Sequence, residues 1–182
     1  MRKTWELIRP TFVLVVICLV ISGALALTYN LAGVAELANA GYSAEQLAEF
    51  AAAALPGAGA LEKADVSLED EDFHSVYKAA DGAGMAVVLV TQGYDSGGMT
   101  VMYGFDAEGV MQGIHVISQQ ETPGIGDKVA KDKEYLGQFS GQSAGDFAVD
   151  TVAGATKTSS GLVSGAKRAF ELFAQLKEEV LG

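Results

Sequence analysis

Residues 10–35 carry no charged side chain, and the middle of this stretch, Phe12 to Leu27, reads FVLVVICLVISGALAL. A run this long and this apolar does not belong on the surface of a water-soluble domain. A helix through it is long enough for the hydrocarbon layer, which takes about 20 residues. Arg2, Lys3 and Arg9 precede it against only Glu6, and a basic flank of this kind stays on the cytoplasmic side. The expectation is a single-pass anchor in the cytoplasmic (inner) membrane, touching the lipid bilayer through residues 11–29, with the N-terminus cytoplasmic and the remainder extracytoplasmic. The competing reading is a cleaved secretory signal, because Ala24-Leu25-Ala26 has the small-x-small form of a cleavage site. Against it, the apolar run exceeds the usual signal core of about 7 to 15 residues. Cys18 follows Ile17, which is too bulky for a lipoprotein cleavage site.

What remains is acidic. The 182 residues hold 23 acids against 12 bases, a formal net charge of -11, and 49% of the chain is apolar. That apolar content suits a folded body rather than a disordered chain. An acidic body repels phosphate backbones, so nucleic acid is not an expected partner. One cysteine excludes an internal disulfide and any cysteine cage for zinc or iron–sulfur within the chain. The expected division is an N-terminal segment and anchor over 1–35 and a single outer domain over 36–182.

Within the outer domain, Ser43-Ala-Glu-Gln46 has the form of a capping box and predicts a helix from Ala44 to Leu55, ended by Pro56-Gly57. Glu62 to Asp72 carries six acids and Lys63, which reads as a solvated loop or helix face. From Gly84 the pattern changes to β-formers, with strands expected at Met85–Thr91, Met99–Phe105 and Val110–Ser118. Asp106 to Gly109 suits a hairpin connection between the last two. Asp127 to Phe139 is weakly helical. Ala166, Ala169, Phe170, Phe173, Leu176 and Val180 recur at helical spacing and predict an amphipathic helix packed through its phenylalanines. The fold class is therefore α+β: one N-terminal transmembrane helix, then one domain with an antiparallel sheet and flanking helices.

Two glycine-containing segments carry the chemistry. In Glu121-Thr-Pro-Gly-Ile-Gly126, Pro123 fixes a backbone angle, while Gly124 and Gly126 permit conformations or close approaches that side chains would block. Such a loop either brings backbone against a flat ligand or is an ordinary tight turn. In Asp150-Thr-Val-Ala-Gly-Ala-Thr156, the small residues Ala153, Gly154 and Ala155 leave the Thr156 hydroxyl approachable. Free amides at the start of the following helix favour a phosphate there. Lys157 adds one positive charge, and Thr158, Ser159 and Ser160 are hydroxyl donors; Ser159 or Ser160 also reads as a simple N-cap. The spacing of a nucleotide-hydrolysing P-loop is absent. No catalytic triad presents itself, and His74 and His115 have no evident metal partners. Tyr94, in a Gly93-Tyr94-Asp95 turn, is either a packing residue or one that approaches a ligand.

The D-T-V-A-G-A-T segment resembles the flavinylation motif of the FMN-binding domain found in the G subunit of the Rnf electron-transport complex and in the C subunit of the sodium-pumping NADH:quinone reductase. In that family a flavin transferase moves FMN from FAD onto the last threonine of the motif. The resemblance implies an FMN cofactor covalently attached by a phosphoester to Thr156, with Asp150 as the leading acid and Gly154 and Ala155 as the small pair. Ala153 stands where the family usually has Ser or Thr. The E-T-P-G-I-G segment resembles the family's E-T-P-G-L-G loop beside the isoalloxazine, which implies roles for Glu121, Thr122, Gly124 and Ile125. Gln119 stands where the family commonly has histidine. Chain length and the single span resemble the Rnf protein more than the larger quinone-reductase one.

The function implied is a membrane-anchored flavoprotein subunit that relays electrons within an ion-translocating ferredoxin:NAD oxidoreductase. It would be part of a multisubunit redox-driven translocase, not catalytic alone, with integral membrane redox subunits as partners and a flavin transferase for maturation. The alternatives are the corresponding FMN-binding part of a sodium-pumping NADH:quinone reductase, a membrane-anchored flavin sensor, or a secreted binding protein.

Overall fold

The computed structural model describes residues 13–23, 41–66 and 68–182. The chain divides into two units, Met1–Tyr42 and Ser43–Gly182. In the first, residues 13–23 form helix α1, with its side chains exposed. Val13, Leu14, Val15, Val16, Ile17, Leu19, Val20 and Ile21 are all among the exposed large apolar residues. Among the described residues no helix is long and apolar enough to cross a membrane. The remaining residues of the expected span, 11, 12 and 24–29, and its basic flank lie outside the described residues.

The second unit is built on a five-stranded antiparallel sheet with flanking helices, so the α+β expectation for this body holds. Its strands are β1 (Leu61–Lys63), β2 (Phe73–Ala79), β3 (Gly84–Thr91), β4 (Met99–Asp106) and β5 (Met111–Gln119), lying in chain order across the sheet. The helices are α2 (Ala44–Ala54), α3 (Gly126–Lys131), α4 (Lys133–Gly137) and α5 (Thr156–Val180). The capping box opens α2 as its sequence requires: Ser43 Oγ accepts from the Gln46 amide at 3.2 Å, and Gln46 Oε1 accepts from the Ser43 amide at 3.0 Å. The β4–β5 hairpin turns on Asp106, whose Oδ1 accepts from the amides of Glu108, Gly109 and Val110. Gly109 supplies the positive φ of 94° that this turn needs.

Two of the strands were not legible. Leu61–Lys63 runs into the stretch from Glu62 read as solvated acid-rich chain, yet it pairs with Tyr77–Ala79. Beyond it the acids do loop out, and one oxygen of Asp70, Oδ2, accepts from both Nε and Nη2 of Arg168 on α5. The C-terminal helix starts ten residues before Ala166, at Thr156, because Gly161 and Gly165 let it lie directly on the sheet. A Cβ at Gly161 would run into the Gln92 carbonyl, and one at Gly165 into Tyr103 and Thr91.

These approaches fix the layering. Successive strand residues face opposite ways. Tyr103 points to α5 and donates to the Leu162 carbonyl at 3.2 Å, and burial pushes its phenol well above the ordinary value, so it remains a donor. Its neighbour Gly104 points to α2, where a Cβ would strike the Ala54 carbonyl; Gly113, opposite it on β5, meets the Ala53 carbonyl in the same way. The main core lies on the α5 side, where Val87, Leu89, Val101 and Phe105 pack against Leu162, Ala166, Phe170 and Phe173. Phe170 and Phe173 each centre 5.1 Å from Phe105. The α2 side buries Leu47, Phe50, Ala51 and Ala54, and Phe50 stacks on the His115 ring at 4.9 Å.

Two outcomes follow from this packing. Gly104→Ala places a methyl against backbone that cannot yield, and should lower unfolding free energy in urea by about 1–3 kcal/mol; Gly137→Ala, with nothing within 4 Å of the new Cβ, should stay within about 0.5 kcal/mol of the parent. Burial lowers the His115 pKa from its ordinary value, so the unfolded chain binds its proton first as pH falls. Stability carried by this residue is complete above about pH 6.5 and declines below it. Denaturation between about pH 7.5 and 5.5 should show that decline, and His115→Phe should reduce it, with His74, whose pKa burial also lowers, carrying part of the remainder.

Candidate functional site

Three loops meet at one end of the sheet, and each enters from a different element. The β3–β4 loop brings Tyr94. The β5–α3 loop brings Thr122, Ile125 and Gly126. The segment before α5 brings Gly154, Ala155 and Thr156, with Lys157 and Thr158 in the helix's first turn. Together these nine residues line an open cleft of about 420 Å³, which lies in the size range of small-molecule and cofactor sites.

Two of the loops share one local design. The amide of Ile125 donates to the Thr122 carbonyl at 3.2 Å, and Gly124 between them has φ 82°. The amide of Ala155 donates to the Val152 carbonyl at 3.1 Å, with Gly154 at φ 85°. Each is a four-residue turn whose third position needs glycine, the arrangement a type II turn requires. Each opens into a helix that lacks a side-chain cap: Ile125 before α3 and Ala155 before α5. The first segment is thus a tight turn, and that turn leaves Ile125 53% exposed at the cleft. Tyr94, across the cleft, is 67% exposed, and these two are the only exposed large apolar side chains in the described residues beyond α1.

The start of α5 faces the same space. The Ala155 carbonyl accepts from the Ser159 amide at 3.0 Å, so the amides of Thr156, Lys157 and Thr158 precede the first helical hydrogen bond and have no partner four residues back. With no side-chain cap, they present the positive end of a 25-residue helix to the cleft. Thr156 is exposed, its Oγ1 3.5 Å from the Val152 carbonyl. Lys157 is the one charged side chain in the lining, and its Nζ sits 5.4 Å from the centre of the Tyr94 ring.

Behind the lining is a buried brace. Glu121, 4% exposed, accepts from the Tyr94 amide at 3.0 and 3.2 Å, from the Asp95 amide at 3.1 Å and from the Thr158 hydroxyl at 2.5 Å. One carboxylate thus ties all three loops. Gly93 and Gly126 stand where a Cβ would collide with it. Ser159, fully buried, is the second brace: its Oγ accepts from the Val152 amide at 2.9 Å and donates back to the Ala155 carbonyl at 3.0 Å.

The eleven residues singled out in the sequence therefore separate. Thr122, Ile125, Gly154, Ala155, Thr156, Lys157 and Thr158 come together around the cleft, Thr158 nearly buried with its hydroxyl turned to Glu121. Glu121 and Ser159 sit behind the lining and shape it. Ser159 and Ser160 are not N-caps, because the helix begins at Thr156 and its cap position is Ala155. Asp150 and Gly124 are exposed outside the lining, and Gly124 donates its amide to Asp127. That contact is the main cause holding the Asp127 carboxyl below the usual carboxylate range. Gly126, read in the sequence as a glycine that permits a close approach, also lines the cleft, and a Cβ there would meet both Glu121 and Thr158.

Residues 93–171, which include every residue of the cleft, match the family model of the FMN-binding domain. Over that stretch the chain is similar to FMN-binding domains. It is 30% identical over 117 residues to the G subunit of the ion-translocating oxidoreductase complex of Aliivibrio fischeri strain MJ11, an alignment covering 54% of this chain and 53% of that protein. The corresponding protein of Cereibacter sphaeroides strain ATCC 17023 is 33% identical over 127 residues, covering 62% and 58%. The chain spans a little over half the length of these relatives. Among solved structures, the crystal structure of Shewanella oneidensis NqrC aligns at 24% identity with a TM-score of 0.49, over 70% of this chain and 71% of that one.

The residues present fit FMN at both ends: uncapped amides and Lys157 for a phosphate, Tyr94 and Ile125 for a flat apolar ring. The brace generates a prediction for the domain. Glu121→Gln replaces an acceptor-only group with one oxygen and an amide donor, leaving at least one buried donor unmatched. Stability should fall by about 1–3 kcal/mol, and hydrogen exchange at the Tyr94 and Asp95 amides should accelerate.

Proposed function

We propose that this protein is a flavoprotein subunit of an ion-translocating oxidoreductase complex of the Rnf type, relaying electrons through an FMN esterified by its phosphate to Thr156. The observation that carries the attachment is the position of Thr156. It is the first residue of an uncapped helix, its hydroxyl is exposed, and it opens on a cleft lined by an FMN-binding domain's own loops. A phosphate on Thr156 Oγ1 lies beside the amides of the first turn, which offer hydrogen bonds and the positive end of the helix. Gly154 and the small side chains of Ala153 and Ala155 leave a flavin transferase access to that oxygen.

The cofactor supplies the redox chemistry when bound. The chain supplies placement. Thr122, Ile125 and Tyr94 border the ring end of the cleft, and Glu121 and Ser159 keep the loops in register. The resemblance to the Rnf flavoprotein supports a role among integral membrane redox subunits, with ferredoxin and NAD as the couples and a flavin transferase as the maturation partner. The exposed apolar face of residues 13–23 and the basic residues before it support a membrane anchor that leaves the FMN-binding domain outside the cytoplasm. In that setting the ester keeps the cofactor from being lost.

Electrophoresis under denaturing conditions tests the attachment. Co-expressed with a flavin transferase, the full chain should give a band that fluoresces as flavin, with an intact mass raised by one esterified FMN. Thr156→Val should give a dark band at the unmodified mass, while Ser160→Ala, which removes an exposed hydroxyl from the same helix, keeps the fluorescence. A fluorescent Thr156→Val band would move the attachment elsewhere.

A further inference from the structure

The first turn of α5 holds an interaction that the attachment site does not require. Lys157 and Thr156 are adjacent in the sequence and both line the cleft, yet the Lys157 ammonium is placed over the Tyr94 ring, 5.4 Å from its centre. This distance is within the range of a cation–π contact, and such contacts at exposed positions are weak, about 0.5–1 kcal/mol. The charge is therefore held loosely. Its host ring is 67% exposed and belongs to a different loop, whose backbone is pinned by Glu121. The backbones of both partners are held, Lys157 in the helix and Tyr94 by Glu121, while the exposed lysine side chain has freedom to move.

The surrounding electrostatics give this charge weight. The chain carries a net charge of -11, and the other eight residues lining the cleft are uncharged. An anion entering the cleft finds the helix amides and one mobile ammonium. Attraction to a phosphate oxygen exceeds attraction to a ring face, because it is a full-charge pair with a hydrogen bond. A single ammonium serves one of the two at a time.

We infer that Lys157 and Tyr94 form a coupled pair that recognises both ends of a phosphate-bearing flat aromatic ligand: the ammonium rests on the ring, leaves it for the phosphate at the start of α5, and so frees the Tyr94 face to pack on the ligand's ring. Lys157 is a positioning residue here, and Tyr94 both its resting place and the apolar wall. The inference deepens the flavin reading above and rests on it. It accounts for a bare tyrosine beside a solitary lysine at the mouth of an otherwise uncharged cleft.

The test uses two probes that differ only in the phosphate, FMN and riboflavin. The full chain is produced in detergent without a flavin transferase, and binding is read by quenching of flavin fluorescence. The parent should bind FMN more tightly than riboflavin. Lys157→Met should weaken FMN by about 2- to 5-fold, the size expected of one exposed ion pair, and leave riboflavin no weaker, since no ammonium then covers the Tyr94 ring. Lys157→Arg should retain the preference, and about 0.5 M salt should compress it. Tyr94→Leu should weaken both probes, whereas Tyr94→Phe, which keeps the ring, should match the parent. Both side chains are exposed, so none of these changes touches the core. An unchanged FMN-to-riboflavin ratio in Lys157→Met, or a loss of riboflavin binding alongside FMN in that variant, overturns the pair. Covalent loading separates the two claims. If Thr156→Val darkens the gel band while Lys157→Met keeps the parent ratio, the pair fails and the attachment stands. If the parent band is dark with transferase present while the ratio behaves as described, the attachment fails and the pair stands.

Discussion

A carboxylate in a protein interior must have its oxygens hydrogen-bonded, because an unpaired buried charge costs several kcal/mol. Glu121 meets that requirement with donors from two other segments: the amides of Tyr94 and Asp95 on the β3–β4 loop and the hydroxyl of Thr158 on α5. Its own loop is the third wall of the cleft. The demand for satisfaction therefore acts as an assembly constraint. Most of the residues that line the cleft are on loops, but those loops are not free to drift, since displacing any one of them strips a partner from the same carboxylate.

The constraint works only because helix and sheet approach closely enough to bring the first turn of α5 within reach. Gly161 and Gly165 let the helix descend onto Gln92, Thr91 and Tyr103. Ser159, in the turn below, then reaches back to the Val152 amide and holds the turn that ends at Ala155. On the opposite face Gly104 and Gly113 lie side by side across β4 and β5 and make a trough for the carbonyl end of α2. Small residues in this domain thus do two separate jobs. Some permit layers to touch, and others, Gly124 and Gly154, permit the turns that aim Ile125 and Thr156 at the cleft.

Most of the sheet was legible because β3, β4 and β5 are long runs of β-formers separated by turn residues. β2 escaped because Phe73-His-Ser-Val-Tyr-Lys-Ala79 does not alternate: its burial runs three in a row at Ser75, Val76 and Tyr77. β1 escaped because a three-residue strand among acids has no periodicity to read. The early start of α5 was hidden by Thr156 to Gly165, a poor helix sequence that tertiary packing overrides. The lining residues other than Tyr94 were legible because they lie in or directly after the two glycine-containing motifs, whereas Tyr94 read equally as packing. The brace was not, since nothing in spacing distinguishes a glutamate that touches a ligand from one that turns inward to bind Thr158, 37 positions away.

The openness of the cleft bears on why an ester would be used there at all. Exposed charge at a helix terminus contributes about 0.3–1 kcal/mol, and an exposed ion pair about as much. The apolar wall is two side chains, both more than half exposed. Contacts of this size leave a ligand that exchanges readily with solvent, because binding must first offset the loss of several kcal/mol of translational and rotational freedom. A deeper pocket would hold a cofactor by burial, but burial would also keep a redox partner away from the ring. The proposed ester would separate these requirements: retention would fall to the Thr156 oxygen, and the opposite end of the cleft would stay open between Tyr94 and Ile125.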